Sequence, residues 1–193
     1  MNILIIGVGG QGTLLASKVI GQVAAGSGYD VKVSEVHGMA QRGGSVETYV
    51  RFSKERVYSP ILDLGGADII LACELLEAYR GLPYLKRGGR IIANTQRLDP
   101  MPVLTGAAAY PEDITGKLRR AGVSVTAVDA YEAAVSSGGD KVVNVVLMGV
   151  LSGFMDFTER EWTEAISESV PPKFLDMNLT AFEAGRRLKR ELD

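Results

Sequence analysis

The chain has 193 residues, 46% of them hydrophobic, which is long enough to bury a sizeable core and short enough to form one domain over 1–193. Its 21 lysines and arginines against 23 aspartates and glutamates leave a formal charge of -2, so no long-range field draws it to phosphate backbones and nucleic acid is excluded as an expected partner. One cysteine cannot close an intrachain disulfide, nor supply the several thiolates of a zinc site or an iron-sulfur cluster, and no metal is expected on the chain.

Met1-Asn2 leads directly into an apolar run that glycine breaks at Gly7, which does not read as a signal peptide, and no apolar stretch is long enough to span a bilayer. The expectation is a soluble, cytoplasmic protein with no membrane partner. Ile3 to Ile6 reads as a strand buried on both faces of a parallel sheet, and Thr13 to Ala25 has helical spacing. Val31 to Val36 reads as a second strand, completing a βαβ unit whose crossover should be right-handed. Ser45 to Phe52 alternates as a strand with one more polar face, and Arg56 to Tyr58 is read as its hairpin partner. Ala67 to Ala72 and Arg90 to Ala93 are further strands, with a helix over Glu74 to Leu85 between them. Leu98 to Tyr110, rich in proline and small residues, reads as a loop with room for a short strand. Pro111 to Ala121 is predicted helical and Val123 to Val128 is predicted as the last strand. Three helices follow over Val142 to Phe154, Glu159 to Ser169 and Leu175 to Arg190, the middle one opened by a Thr158/Glu161 capping box. The fold class that results is α/β: a Rossmann-like, three-layer, doubly wound, mostly parallel sheet with a helical carboxyl-terminal part.

Gly7-Val8-Gly9-Gly10-Gln11-Gly12 fits G-x-G-x-x-G directly after a strand and before a helix, the context the fingerprint requires. Such glycines let a ligand's phosphates approach backbone N–H groups at the positive end of a helix. They serve equally to let the helix pack closely on the sheet or another polypeptide approach. Glu35, near the end of the second strand, is placed to meet a ribose hydroxyl, so a free-standing NAD(P)-binding oxidoreductase using Gly7, Gly9, Gly12 and Glu35 is one reading. Against it, the second strand runs on through His37-Gly38-Met39-Ala40-Gln41-Arg42-Gly43-Gly44 in place of a short loop, and no substrate domain or proton-transfer constellation is visible. That stretch holds the only histidine, a fixed cation and an amide between glycines, a set able to grip a phosphate, a carboxylate or a partner's backbone.

Gly7 to Ala16 together with His37 to Ser45 resembles the gamma-type domain of the 2-oxoacid:ferredoxin oxidoreductases, and within that family the branch acting on indolepyruvate. The similarity extends through Val57-Tyr58-Ser59-Pro60 and Asn94-Thr95-Gln96. Gamma domains of the pyruvate, branched-chain and oxoglutarate branches usually carry a different loop in place of His37-Gly38-Met39-Ala40-Gln41. The resemblance implies oxidative decarboxylation of an aryl pyruvate to an aryl acetyl-CoA, with coenzyme A as co-substrate and ferredoxin as electron acceptor. It implies thiamine diphosphate and [4Fe-4S] clusters on a large alpha subunit, none bound firmly here and no catalytic residue in this chain. Gly138-Gly139-Asp140 is not the thiamine motif. The residues expected to face a cofactor or partner are Gly7, Gly9, Gly10, Gln11, Gly12, Thr13, His37, Gln41, Arg42 and Gly43. In isolation, with its partner face uncovered, the chain is expected to self-associate.

Among the remaining residues, Cys73 reads as a small buried hydrophobe, while Glu74 and Glu77 read as surface carboxylates. Arg186, Arg187, Lys189 and Arg190 complement the dipole of the last helix. Asn144 lies in an otherwise apolar helix and needs a hydrogen-bond partner if that face is buried, and Trp162 and Phe182 read as packing residues.

Overall fold

The computed structural model describes residues 1–37 and 44–192, with His37 represented by its backbone. Among these, β1 (Asn2–Val8), β2 (Asp30–His37), β3 (Ser45–Ser53), β4 (Ala67–Ala72), β5 (Leu85–Asn94) and β6 (Ser124–Val128) form one sheet in the order β2-β3-β1-β4-β5-β6. The pairings β1/β4, β4/β5 and β5/β6 are parallel, as an α/β reading requires. β3 is antiparallel to both of its neighbours, in the registers Ile5↔Thr48 and Glu35↔Thr48.

This arrangement corrects the expected first βαβ unit, because β1 and β2 do not touch. The cause is the link from His37 to Ser45, which is too short for a parallel crossover of a dozen or more residues. A strand that follows β2 so soon must return antiparallel, and it takes the slot beside β1. Arg56 to Tyr58 is irregular and forms no hairpin strand.

Period-two alternation on β1 divides the core in two. Ile3 and Ile5 point into a cluster with Val50 and Phe52 of β3, α1 (Thr13–Gly26), α5 (Ala130–Ser136) and α6 (Val143–Ser152). Leu4 and Ile6 point the other way, toward α2 (Leu75–Arg80) and α4 (Ile114–Arg120). α7 (Glu159–Ser169) and α8 (Leu175–Glu191) extend the first side, packing on α1 and α6. All residues of α6 are buried, the expected environment for a helix apolar all round. Its contact with α8 is close because two glycines meet: a Cβ on Gly149 would overlap the Phe182 carbonyl, and one on Gly185 the Val146 carbonyl.

Three helices depart from the sequence reading, the first being α2, which ends at Arg80, short of the expected Leu85, a residue that instead opens β5. Leu98 to Tyr110 contains α3 (Met101–Leu104), not a strand. α5 was not anticipated, although Asp129 caps it by accepting from the Glu132 N–H at 2.9 Å. The Thr158/Glu161 capping box forms on α7 as predicted. Trp162 and Phe182 are 0% and 1% exposed with ring centroids 5.7 Å apart, so both are packing residues. Lys189, one of the four basic residues read as complementing the dipole of the last helix, is buried at 8% exposure, its ammonium 4.6 Å from the Phe154 ring centroid.

Candidate functional site

The site is built where β1 ends and α1 begins. Gly7 is closely packed: a Cβ there would lie 2.8 Å from Gln11 Oε1 and 3.0 Å from Cys73 Cβ, so a larger residue would displace the Gln11 amide. The chain then turns, the Gln11 N–H donating to the Val8 carbonyl at 3.1 Å. The Gln11 side chain closes this turn from within. Its Oε1 accepts from the Val8 N–H at 2.7 Å, and its Nε2 donates to the Cys73 carbonyl at 3.2 Å. Gly9 donates its N–H to the Gly44 carbonyl at 2.9 Å, tying the loop to the start of β3. Gly10 and Gly12 take φ of 102° and 77°, in the left-handed region that only glycine enters at low cost. Gly12 is the N-cap of α1 and no side chain caps the helix, so its first-turn N–H groups carry the dipole's positive end toward the sheet edge.

The loop forms a ridge between two clefts. One, of about 420 Å³, is lined by Gly9, Gly10, Gly12, Thr13, Leu14, Glu35 and Val46. The other, of about 180 Å³, lies among Gly10 to Gly12, Gln96, Tyr131, Asp140 and Lys141. A larger open depression of about 680 Å³ between α5 and α8 contains none of the residues expected to face a cofactor or partner. The edge beyond the carboxyl ends of parallel strands is where α/β sheets hold ligands, and both loop clefts lie there.

Beneath the clefts runs a network of buried polar groups. Asn94, fully buried at the end of β5, donates to the Cys73 carbonyl at 3.2 Å and accepts from the Ala130 N–H at 3.1 Å, joining the ends of β4 and β5 to α5. Glu74 and Glu77, expected at the surface, are each 1% exposed. Glu74 caps α2 by accepting from the Glu77 N–H at 2.9 Å, and also takes the Leu98 N–H at 3.0 Å and the Tyr110 hydroxyl at 2.6 Å. Glu77 accepts from Ser45 Oγ at 2.5 Å and pairs with Arg80 at 2.6 Å. Their burial follows from these donors, since a buried carboxylate is tolerated when its oxygens are bonded. Burial, and then its bond to Glu74, raises the Tyr110 hydroxyl above the ordinary phenol range. Burial pushes the Cys73 thiol up to about 12, so it is a protonated packing group, as its sequence context suggested. Among the described residues no three histidine, cysteine or acidic side chains gather as a metal site.

Gly7, Gly9, Gly10, Gln11, Gly12 and Thr13 are therefore brought together, although Gln11 spends its amide on the loop itself and Thr13 is only 6% exposed. His37 enters by its backbone, paired with Val46, while Gln41, Arg42 and Gly43 lie outside the described residues. Glu35 reaches the larger cleft from two strands away from β1, roughly 10 Å, because β3 intervenes. In the dinucleotide fingerprint the acidic strand adjoins β1, so this insertion removes the geometry on which the ribose reading depended. Sequence reasoning named Asn94 only within the resemblance and missed its buried bonding role, as it missed the burial of Glu74; their signals are a polar residue closing an apolar strand and an acid at the helix N-cap three residues before Glu77.

The fold and this edge define an α/β domain with a glycine loop and an uncapped helix start at the carboxyl edge of its sheet. The family model described as pyruvate ferredoxin/flavodoxin oxidoreductase matches residues 2–188. The chain is 42% identical to indolepyruvate oxidoreductase subunit IorB of Thermococcus kodakarensis, over 99% of this chain and 96% of that protein. It is 31% identical to 2-oxoglutarate synthase subunit KorC of Methanothermobacter thermautotrophicus, over 98% and 95%. Among solved structures, the keto/oxoacid ferredoxin oxidoreductase gamma subunit of Geobacter sulfurreducens PCA superposes with a TM-score of 0.73 at 22% identity, covering 98% of both chains. The 2-oxoglutarate:ferredoxin oxidoreductase of Magnetococcus marinus, with 2-oxoglutarate, coenzyme A and succinyl-CoA bound, gives 0.77 at 22%, over 100% of this chain and 31% of that one. The chain belongs to the pyruvate ferredoxin/flavodoxin oxidoreductase family and is a subunit of a ferredoxin-dependent 2-oxoacid oxidoreductase.

Proposed function

We propose that this chain is the small, beta-type subunit of an oxidoreductase that converts indolepyruvate and related aryl pyruvates to aryl acetyl-CoA and carbon dioxide, passing electrons to ferredoxin. The observation that carries this reading is the near full-length 42% identity to an indolepyruvate subunit, against 31% to a 2-oxoglutarate subunit. Thiamine diphosphate and iron-sulfur clusters belong in this reading to a large partner subunit. The chain's own residues do not fit a cluster, because its one thiol is buried and held protonated beneath the glycine loop.

Its contribution is the glycine-loop edge. Coenzyme A carries phosphates that suit the uncapped first turn of α1, and the apolar side chain of Leu14, 61% exposed beside it, suits an organic ligand or a subunit contact. In this role the chain binds and orients the acyl acceptor while the partner performs the chemistry, which makes the chain inactive alone. Both the single domain over 1–193 and a cytoplasmic location accord with this reading; no helix among the described residues is long and apolar enough to cross a membrane.

The test is anaerobic co-expression with the candidate large subunit, followed by ferredoxin reduction on indolepyruvate and phenylpyruvate with and without this chain. The expected result is association and activity that requires both chains. Failure to associate, with tight NAD(P) binding by this chain alone, would replace the reading with a free-standing dehydrogenase.

A further inference from the structure

We infer that Asn144 is a positioning residue for the glycine loop, setting the first turn of α1 for ligand binding without touching the ligand. The inference deepens the coenzyme A reading above and rests on it for the substrate whose binding is measured.

Asn144 is 3% exposed and stands in the sequence Val143-Asn144-Val145-Val146-Leu147-Met148, where every neighbour is apolar and buried. Its Nδ2 donates to the Gly12 carbonyl at 3.0 Å, and its Oδ1 has no partner among the described residues. A buried acceptor left unbonded lowers stability. The Gly12 carbonyl does not require this bond, because it already accepts from the Ala16 N–H at 3.2 Å as the first rung of α1. Stability alone therefore favours an apolar side chain of the same size at 144, and what the amide adds is its bond to the loop.

What the bond does is geometric. It seizes the residue at which the loop ends and α1 begins. The missing side chain of Gly12 makes the approach feasible, since a Cβ there would lie 2.6 Å from Asn144 Nδ2. Gln11 anchors the preceding residue to the Cys73 carbonyl at the end of β4. The loop is thus held on one side by the sheet and on the other by α6, the most completely buried helix, through two amides that have no exposed role. Both clefts include Gly12, so a shift at this residue changes both walls.

The experiment uses the assembled two-subunit enzyme with Asn144→Leu, and with Asn144→Ala in case leucine does not fit. Thermal unfolding and steady-state kinetics for coenzyme A and for the 2-oxoacid are measured on each. The expected result is an N144L complex as stable as the native one or more so, with KM for coenzyme A raised about tenfold and kcat and the oxoacid KM unchanged. Stability and substrate binding moving in opposite directions is a signature that a packing role does not produce. If KM for the oxoacid rises while that for coenzyme A stays, Asn144 positions the loop as inferred and the coenzyme A assignment of the cleft falls. Unchanged kinetics in both variants, a uniform fall in stability and all rates, or loss of assembly in both would overturn the positioning role.

Discussion

Glycine appears at two critical places in this fold and does opposite things. In the loop after β1, Gly10 and Gly12 allow a backbone path, and polar side chains then hold that path: Gln11 from within, Asn144 from α6. At the crossing of α6 and α8, Gly149 and Gly185 have helical backbones and serve only to let two helices touch main chain to main chain. One set shapes a surface for use, whereas the other removes volume from a core. The first should be sensitive in binding and the second in stability.

The largest effect is expected at the crossing. Gly185→Val drives a branched side chain into the Val146 carbonyl, where α6 cannot retreat because it is pressed on the sheet. Stability should fall by more than ~3 kcal/mol, read by denaturant unfolding, with kinetics normal in whatever complex survives. A variant that unfolds like the native protein would show that α8 moves freely on α6 and would end the contrast. Next in size is Glu74→Ala at the sheet edge. It strands the Glu77 and Leu98 N–H groups and the Tyr110 hydroxyl, an expected loss of about 2 kcal/mol. Because the segment after β5 depends on those bonds, hydrogen exchange at Leu98 should rise more than exchange in α8. Equal protection loss in both places would mean that the edge and the crossing unfold as one unit.

Much of this was legible in the sequence, for reasons that are local. β1 and β4 announce themselves as short apolar runs, the capping box fixes the start of α7 within the chain itself, and the glycine loop has the strand and helix that its spacing demands. What escaped was tertiary. Ser45 to Phe52 shows a strand but not its slot in the sheet, although the shortness of the link from His37 already forbade a parallel return. Glu74 and Glu77 resemble surface carboxylates because their donors, Tyr110, the Leu98 N–H and Ser45, lie up to 36 residues away. Asn144 reads in sequence as an amide that needs a partner if its face is buried, and that partner, Gly12, is 132 residues distant.

Cys73 gives the smallest expected effect and the sharpest division between backbone and side chain at the edge. Its carbonyl accepts from Gln11 Nε2 and from Asn94 Nδ2, so the main chain at this position is indispensable to the loop. Its thiol is 1% exposed and belongs to the apolar cluster. Burial raises the folded-state pKa to about 12, above the unfolded value, which keeps the sulfur protonated at pH 8 to 9 and poorly reactive toward alkylating agents. Iodoacetamide at pH 8.5 should label the native protein negligibly and the unfolded protein fully, with labelling in denaturant tracking global unfolding. Cys73→Ala should leave the assembled enzyme's rates within about twofold and cost roughly 1 kcal/mol of stability, the removal of one small buried group. Rapid labelling of the folded chain, or loss of coenzyme A binding in the alanine variant at normal stability, would assign the thiol a part in the site that its burial denies.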